Sequence, residues 1–260
     1  MQNAMQPFLF CSKLHPMHPQ DLLDYTRAFE KAPWELYDSP HYYFHYLKES
    51  LAAQEIGLIS NTQELAFKKI LAFLELLPPD KKISYYLYPD SHTKEELMGN
   101  AWFAQAIYTE FTIHALYTEQ DRVIGAHEDT HLLSLPLGLS IGFLQEGLAE
   151  HMVGHDWYGN SFRKALNEVL GESDFRISES LLTTHSAWLD TEDKFSRHYY
   201  ALAALFVEFI LKEYGKEKFF LLYKRLSRQN NSEGNSQKYN DIFSLTALEV
   251  WNDFLEGIKE

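Results

Sequence analysis

Residues 127–131, HEDTH, place two histidines four positions apart with a glutamate directly after the first. On an α-helix that spacing sets His127 and His131 about 40° apart around the axis and one turn apart, so two ring nitrogens can converge on one ion. Glu128 falls about 100° round from His127, off the ion yet near its open coordination position, where a base for water is needed. By composition, roughly one random sequence in twenty would carry H-E-x-x-H, so the pattern needs a third ligand before it signifies chemistry. Glu146, separated from His131 by fourteen residues and lying inside FLQEGLAEH, is the candidate. It would complete the His, His, Glu set of a catalytic zinc site, one Zn2+ per chain, with water in the fourth position.

These side chains need elements to hold them. VIGAHEDTHLLS (123–134) has helical periodicity and stops before Pro136, and IGFLQEGLAEHMVG (141–154) is a second helix despite Gly142 and Gly147. Before them, DLLDYTRAFEKA (21–32) reads as a short helix after a loose, proline-bearing arm over the first twenty residues. HYYFHYLKES (41–50) and KISYYLYP (82–89) read as strands around a helix over 61–77 with Asn61 as its N-cap. PDSHTKEELMGN is turn-like, and WFAQAIYTEFTIHALYT (102–118) reads as two antiparallel strands. Helices are expected over 161–171, 197–215, 216–228 and 246–260, with 228–241 a polar surface loop. The expectation is an α+β fold: a mixed sheet with helices in the first half, the HEDTH helix at the centre and a mostly helical second half. The expected divisions are an arm and helix over 1–40, a sheet-containing lobe over 41–134 and a helical lobe over 135–260, together one catalytic unit.

HEDTH followed by QEGLAE resembles the gluzincin metallopeptidases, the clan that includes thermolysin and the zinc aminopeptidases, and especially their peptidase MA-like branch. The resemblance extends to the strand KISYYLYP and to YALAALFVEFILKEYGKEKF, covering about residues 82–220. It implies a thermolysin-like zincin that hydrolyses peptide bonds, with Glu146 of the E-G-x-A segment as third zinc ligand and Glu128 as general base. It also implies Tyr200 as donor to the tetrahedral oxyanion, Tyr199 or His198 taking that place if the helix is rotated. WFAQAIY would be the edge strand that pairs with an extended peptide. Two departures stand out: the gap of fourteen residues is short and needs a tight turn through SLPLGLS, and no G-x-M-E-N segment is present, so exopeptidase activity is not implied.

Glu150 lies one turn after Glu146; it either accepts the free ring N–H of a ligand histidine or is solvent-exposed. Asp129 adds an acid beside the ligands, to tighten the site or orient water. The pairs His151/His155 and His41/His45 lack the following glutamate and read as structural histidines.

A net charge of −14, from 37 acidic and 23 basic residues, argues against a nucleic-acid partner. Cys11 is the one cysteine, which leaves nitrogen and oxygen ligands for any metal. Neither a signal-peptide core nor a stretch near the 20 apolar residues of a membrane span is seen, so a soluble, cytoplasmic protein acting on peptide or protein substrates is expected. The alternative is a catalytically inactive zinc-binding domain that recognises peptides on the same fold.

Overall fold

A computed structural model of the chain describes residues 27–259 apart from 171, 173 and 176. The arm expected over the first twenty residues lies outside the described residues, as does most of the helix expected over 21–32, of which residues 27–31 are helical. The chain divides into two compact units, the boundary in sequence lying between Leu133 and Ser134. Among the described residues no helix is long and apolar enough to cross a membrane.

The first unit is built on a mixed five-stranded sheet. Its strands are β1 (Trp34–Asp38), β2 (Tyr42–Leu47), β3 (Ile83–Tyr88), β4 (Ala104–Ile107) and β5 (Thr112–Leu116), in the order β1-β2-β3-β5-β4. β2, β3 and β5 run parallel at the centre, and antiparallel β1 and β4 close the two edges. Alternation along the central strands turns Tyr42, Phe44, Tyr85, Leu87, Ile113 and Ala115 to one face, all buried. Phe67 of helix α1 (Leu51–Leu74) meets Tyr42 edge-on at 5.8 Å there. The opposite face carries an in-register row in which His45 and His114 stack on the two sides of Tyr86 at 4.3 and 4.8 Å.

Three expectations are corrected in this unit. α1 starts ten residues before Asn61, which sits exposed in its interior. The cap is Ser50, whose hydroxyl accepts the Ala53 N–H at 3.2 Å. The turn-like PDSHTKEELMGN is largely a helix, α2 (Ser91–Met98), because Asp90 accepts the Thr93 N–H at 2.7 Å and Gly99 at φ 73° ends it. β1 was not expected; it follows Pro33 and is mostly exposed, so it lacks the alternation that marks a half-buried strand. The motif helix α3 (Ala126–Leu133) completes the unit.

The second unit is helical: α4 (Gly142–Val153), α5 (Phe162–Asn167), α6 (His185–Leu189), α7 (Ser196–Tyr214), α8 (Lys216–Arg225), α9 (Ser232–Phe243) and α10 (Ala247–Lys259). The connection SLPLGLS is a 3-10 turn over Leu135–Leu137 ended by Gly138 at φ 96°. α4 and α7 form the centre. A Cβ at Gly147 would lie 2.5 Å from the Ala203 carbonyl oxygen, so the glycine lets the two backbones touch. Phe143, Phe206 and Phe254 pack around that contact with ring centroids 5.5 and 5.2 Å apart.

The polar stretch expected to be a loop over 228–241 is instead mostly α9. Asn231 caps it by accepting the Gly234 N–H at 2.8 Å. Its inner face, Asn235, Tyr239, Ile242 and Phe243, is buried at helical spacing. The Asn235 amide donates to the Thr183 and Ser227 carbonyls, both at 2.9 Å, and its oxygen accepts the Ser227 N–H at 3.1 Å. Removing that side chain strands buried backbone groups, so Asn235→Ala is expected to cost about 2 kcal/mol or more in urea denaturation. A loss under about 0.5 kcal/mol would mean that α9 is held by its apolar face alone.

Candidate metal centre

α3 is anchored before it presents anything. Gly125, at φ 123°, turns the chain into it. The Gln63 amide of α1 binds this turn twice, its oxygen accepting the Gly125 N–H and its nitrogen donating to the Gly125 carbonyl at 3.2 Å. The same nitrogen donates to Asp129 Oδ2 at 3.1 Å, and the Tyr42 hydroxyl of β2 donates to that oxygen as well. Asp129 is fully buried; burial, with the Glu128 charge adding to it, pushes its carboxyl up to about 8 against these hydrogen bonds. The acid expected to tighten the site or orient water therefore ties the motif helix to β2 and α1.

With that face of the helix engaged, His127 and His131 share another. Their Nε2 atoms stand 3.2 Å apart and their rings cross at 79°. Zinc–nitrogen bonds of about 2.0–2.1 Å in a tetrahedron put neighbouring donor atoms about 3.3–3.4 Å apart. The two nitrogens thus lie close to one edge of that coordination shell. Ligand atoms of His127, His131 and Glu146 all lie within 4.8 Å of one another. His131 and Glu146 are buried and His127 half-buried. Among the described residues this is the group that fits a metal ion. Two neutral imidazoles and one carboxylate are a donor set that zinc accepts. Glu128, 5 % exposed, lies on the same helix between the histidines.

The helix that carries Glu146 is buried almost all round, Gln145, Glu146 and Glu150 included. Buried polar groups require partners, and the Gln145 oxygen finds one in the turn after α8. Arg228 donates from Nη2 to the Gln145 oxygen and from Nε to the Ser140 carbonyl at 3.1 Å. The Gly142 N–H donates to Nδ1 of His185 at 3.0 Å, and a Cβ at Gly142 would meet the Trp188 ring at 2.5 Å. Burial, reinforced by Arg228 and opposed by Glu146, lowers the His185 ring to about 4. Glu150 is 3 % exposed, which removes solvent exposure as its explanation.

Tyr200 is buried in α7, its ring 5.6 Å from that of Trp157 and 5.1 Å from that of Trp188, the residue that also covers Gly142. Tyr199 packs on Phe175 at 4.9 Å. His198 belongs elsewhere, its Nε2 3.8 Å from Glu168 in a cluster with Arg197 and Asp156. The other paired histidines have structural partners: His41 Nδ1 lies 2.6 Å from Glu64, and His155 Nδ1 lies 2.8 Å from the Asp156 carbonyl. β4, within WFAQAIY, is an edge strand paired with β5 alone in the sheet. Sequence reasoning missed Tyr42, Gln63, His185 and Arg228. Their partners lie 43 to 87 positions away, beyond the reach of local spacing.

The Arg197 cluster carries a pH prediction. Burial works to raise the Asp156 carboxyl, but Arg197 and the Asn160 and Tyr158 N–H groups outweigh it and hold that carboxyl below the ordinary value. A carboxyl depressed by folding contributes stability that is complete above its unfolded value of about 3.9 and is lost as pH falls through the folded value. Between pH 6 and 3, Asp156→Asn is expected to lose less thermal stability than the native chain. Parallel melting curves would place the acid sensitivity elsewhere.

No protein-family model matches the chain, and no curated protein matches it in a sequence search.

Proposed function

We propose that this chain is a zinc-dependent peptidase of thermolysin-like architecture, with His127, His131 and Glu146 holding the ion. The observation that carries the proposal is the facing pair of Nε2 atoms at 3.2 Å with a third donor group at hand. The mixed sheet, with antiparallel β4 at its edge and the HEDTH helix after β5, supports the thermolysin-like reading. When bound, zinc supplies Lewis acidity that polarises a carbonyl and makes water acidic enough to react near neutral pH.

The chain's own groups do the rest. Glu128 takes a proton from the attacking water as its oxygen bonds to the carbonyl carbon, then delivers that proton to the nitrogen as the C–N bond breaks. Its burial keeps competing water away from the carboxylate. Tyr200 donates to the oxyanion, a bond worth most in the transition state. The edge strand β4 holds the substrate backbone, which tolerates many sequences. Glu150 fixes a ligand histidine through its ring N–H. The test is a peptide library incubated with zinc-loaded chain and with chelator-stripped chain. Cleavage is expected in the first, loss in the second and recovery on adding zinc; cleavage that survives stripping would contradict the proposal.

A further inference from the structure

Arg228 belongs to the helical unit. It lies just beyond α8, is exposed, and belongs to a chain with 37 acidic residues against 23 basic ones. Three other arginines have settled partners: Arg197 is bound by Asp156 and Glu168, Arg122 by Glu55, and Arg163 by the Ile258 and Gly257 carbonyls. Among the described residues no carboxylate pairs with Arg228. Its side chain is nevertheless held in place, with Nε donating to the Ser140 carbonyl and Nη2 to the Gln145 oxygen. Those bonds occupy the Nε–Nη2 side of the fork. The Nη1–Nη2 end keeps two parallel N–H groups, the arrangement that grips a carboxylate with two hydrogen bonds.

The position matters as much as the open fork. Gln145 precedes the third ligand-capable residue, and Ser140 lies two residues before the helix that carries it. The same helix is bound in its first turn by His185, whose Nδ1 accepts the Gly142 N–H at 3.0 Å. The anchoring bonds come from buried groups, Ser140 at 0 % and Gln145 at 1 % exposure. The guanidinium is therefore fixed before any ligand arrives, which lowers the entropic cost of binding.

We infer that Arg228 is a specificity determinant that recognises a carboxylate on the peptide bound at the metal centre. The inference deepens the peptidase reading and rests on it for the identity of the ligand. The carboxylate belongs either to the peptide's C-terminus or to an Asp or Glu side chain, and arginine's planar fork suits both.

The test is retention of peptides from an equimolar mixture of N-acetylated tetrapeptides, each present as C-terminal acid and as amide, read by mass spectrometry. The immobilised proteins are the metal-free native chain and zinc-loaded Glu128→Gln. Enrichment of about 10-fold for acids over amides identifies a C-terminal carboxylate, and the same enrichment for amides containing Asp or Glu identifies the side chain. In Arg228→Met the enrichment is expected to vanish. Arg228→Lys, which keeps the charge without the fork and guards against a folding defect, is expected to retain part of it. Equal retention of all forms, or undiminished enrichment in Arg228→Met, overturns the inference. Enrichment by a chain that cleaves nothing when zinc-loaded would remove the peptidase reading and leave carboxylate recognition standing; cleavage without enrichment would do the reverse.

Discussion

Glu128→Gln is expected to bind zinc as the native chain does and to hydrolyse peptides about 10²–10⁴-fold more slowly. The substitution keeps the size of the side chain and removes the carboxylate that can accept a proton. Both histidines remain on α3, which stays tied to β2 and α1 through Asp129, so the donors should hold their positions. The loss should appear in kcat, because proton transfer belongs to the transition state. The informative pair of measurements is zinc content and turnover on the same preparation. Native turnover with native zinc would remove Glu128 as the base, whereas loss of zinc would assign it to the metal's surroundings.

Gly147→Val carries the largest expected effect on stability. The added Cβ would lie 2.5 Å from the Ala203 carbonyl oxygen, 2.8 Å from its carbon and 2.9 Å from a Val207 methyl. Two of those three atoms are backbone of α7, which cannot rotate away as a side-chain tip can. Overpacking of this kind costs about 1–3 kcal/mol and sometimes more, and the extra methyls of valine place this site at the upper end. The melting temperature should fall by roughly 10 °C. Since Glu146 is the preceding residue, a displaced α4 should also weaken zinc binding. A variant melting within about 2 °C of the native chain would mean that α4 and α7 are not in close backbone contact.

What could be read from sequence follows from how local each determinant is. β2 and β3 were visible as aromatic-rich runs, and α3 and α4 as periodic segments punctuated by Gly125, Pro136 and Gly154. The three ligand-capable residues were visible because a helix converts spacing into direction, and the structure groups His127, His131 and Glu146. α9 was hidden by its polar composition, although Asn235, Tyr239, Ile242 and Phe243 already had helical spacing; the amide in that row disguised a buried face. α2 was hidden because Asp90, here a helix cap, is equally a turn former. The role of Asp129 depends on Tyr42 and Gln63, 87 and 66 positions away, and that of Arg228 on Gln145, 83 positions away. No periodicity connects such residues; only the folded chain does.

The three-donor metal centre is tested by measuring zinc per chain, after dialysis against trace zinc and washing, for the native protein beside Glu146→Ala. One zinc is expected in the native chain and a lost or greatly weakened one in the variant, since two histidines alone form an incomplete catalytic site. A native chain without zinc would reduce HEDTH to two histidines on a helix, and the peptidase would fall with it.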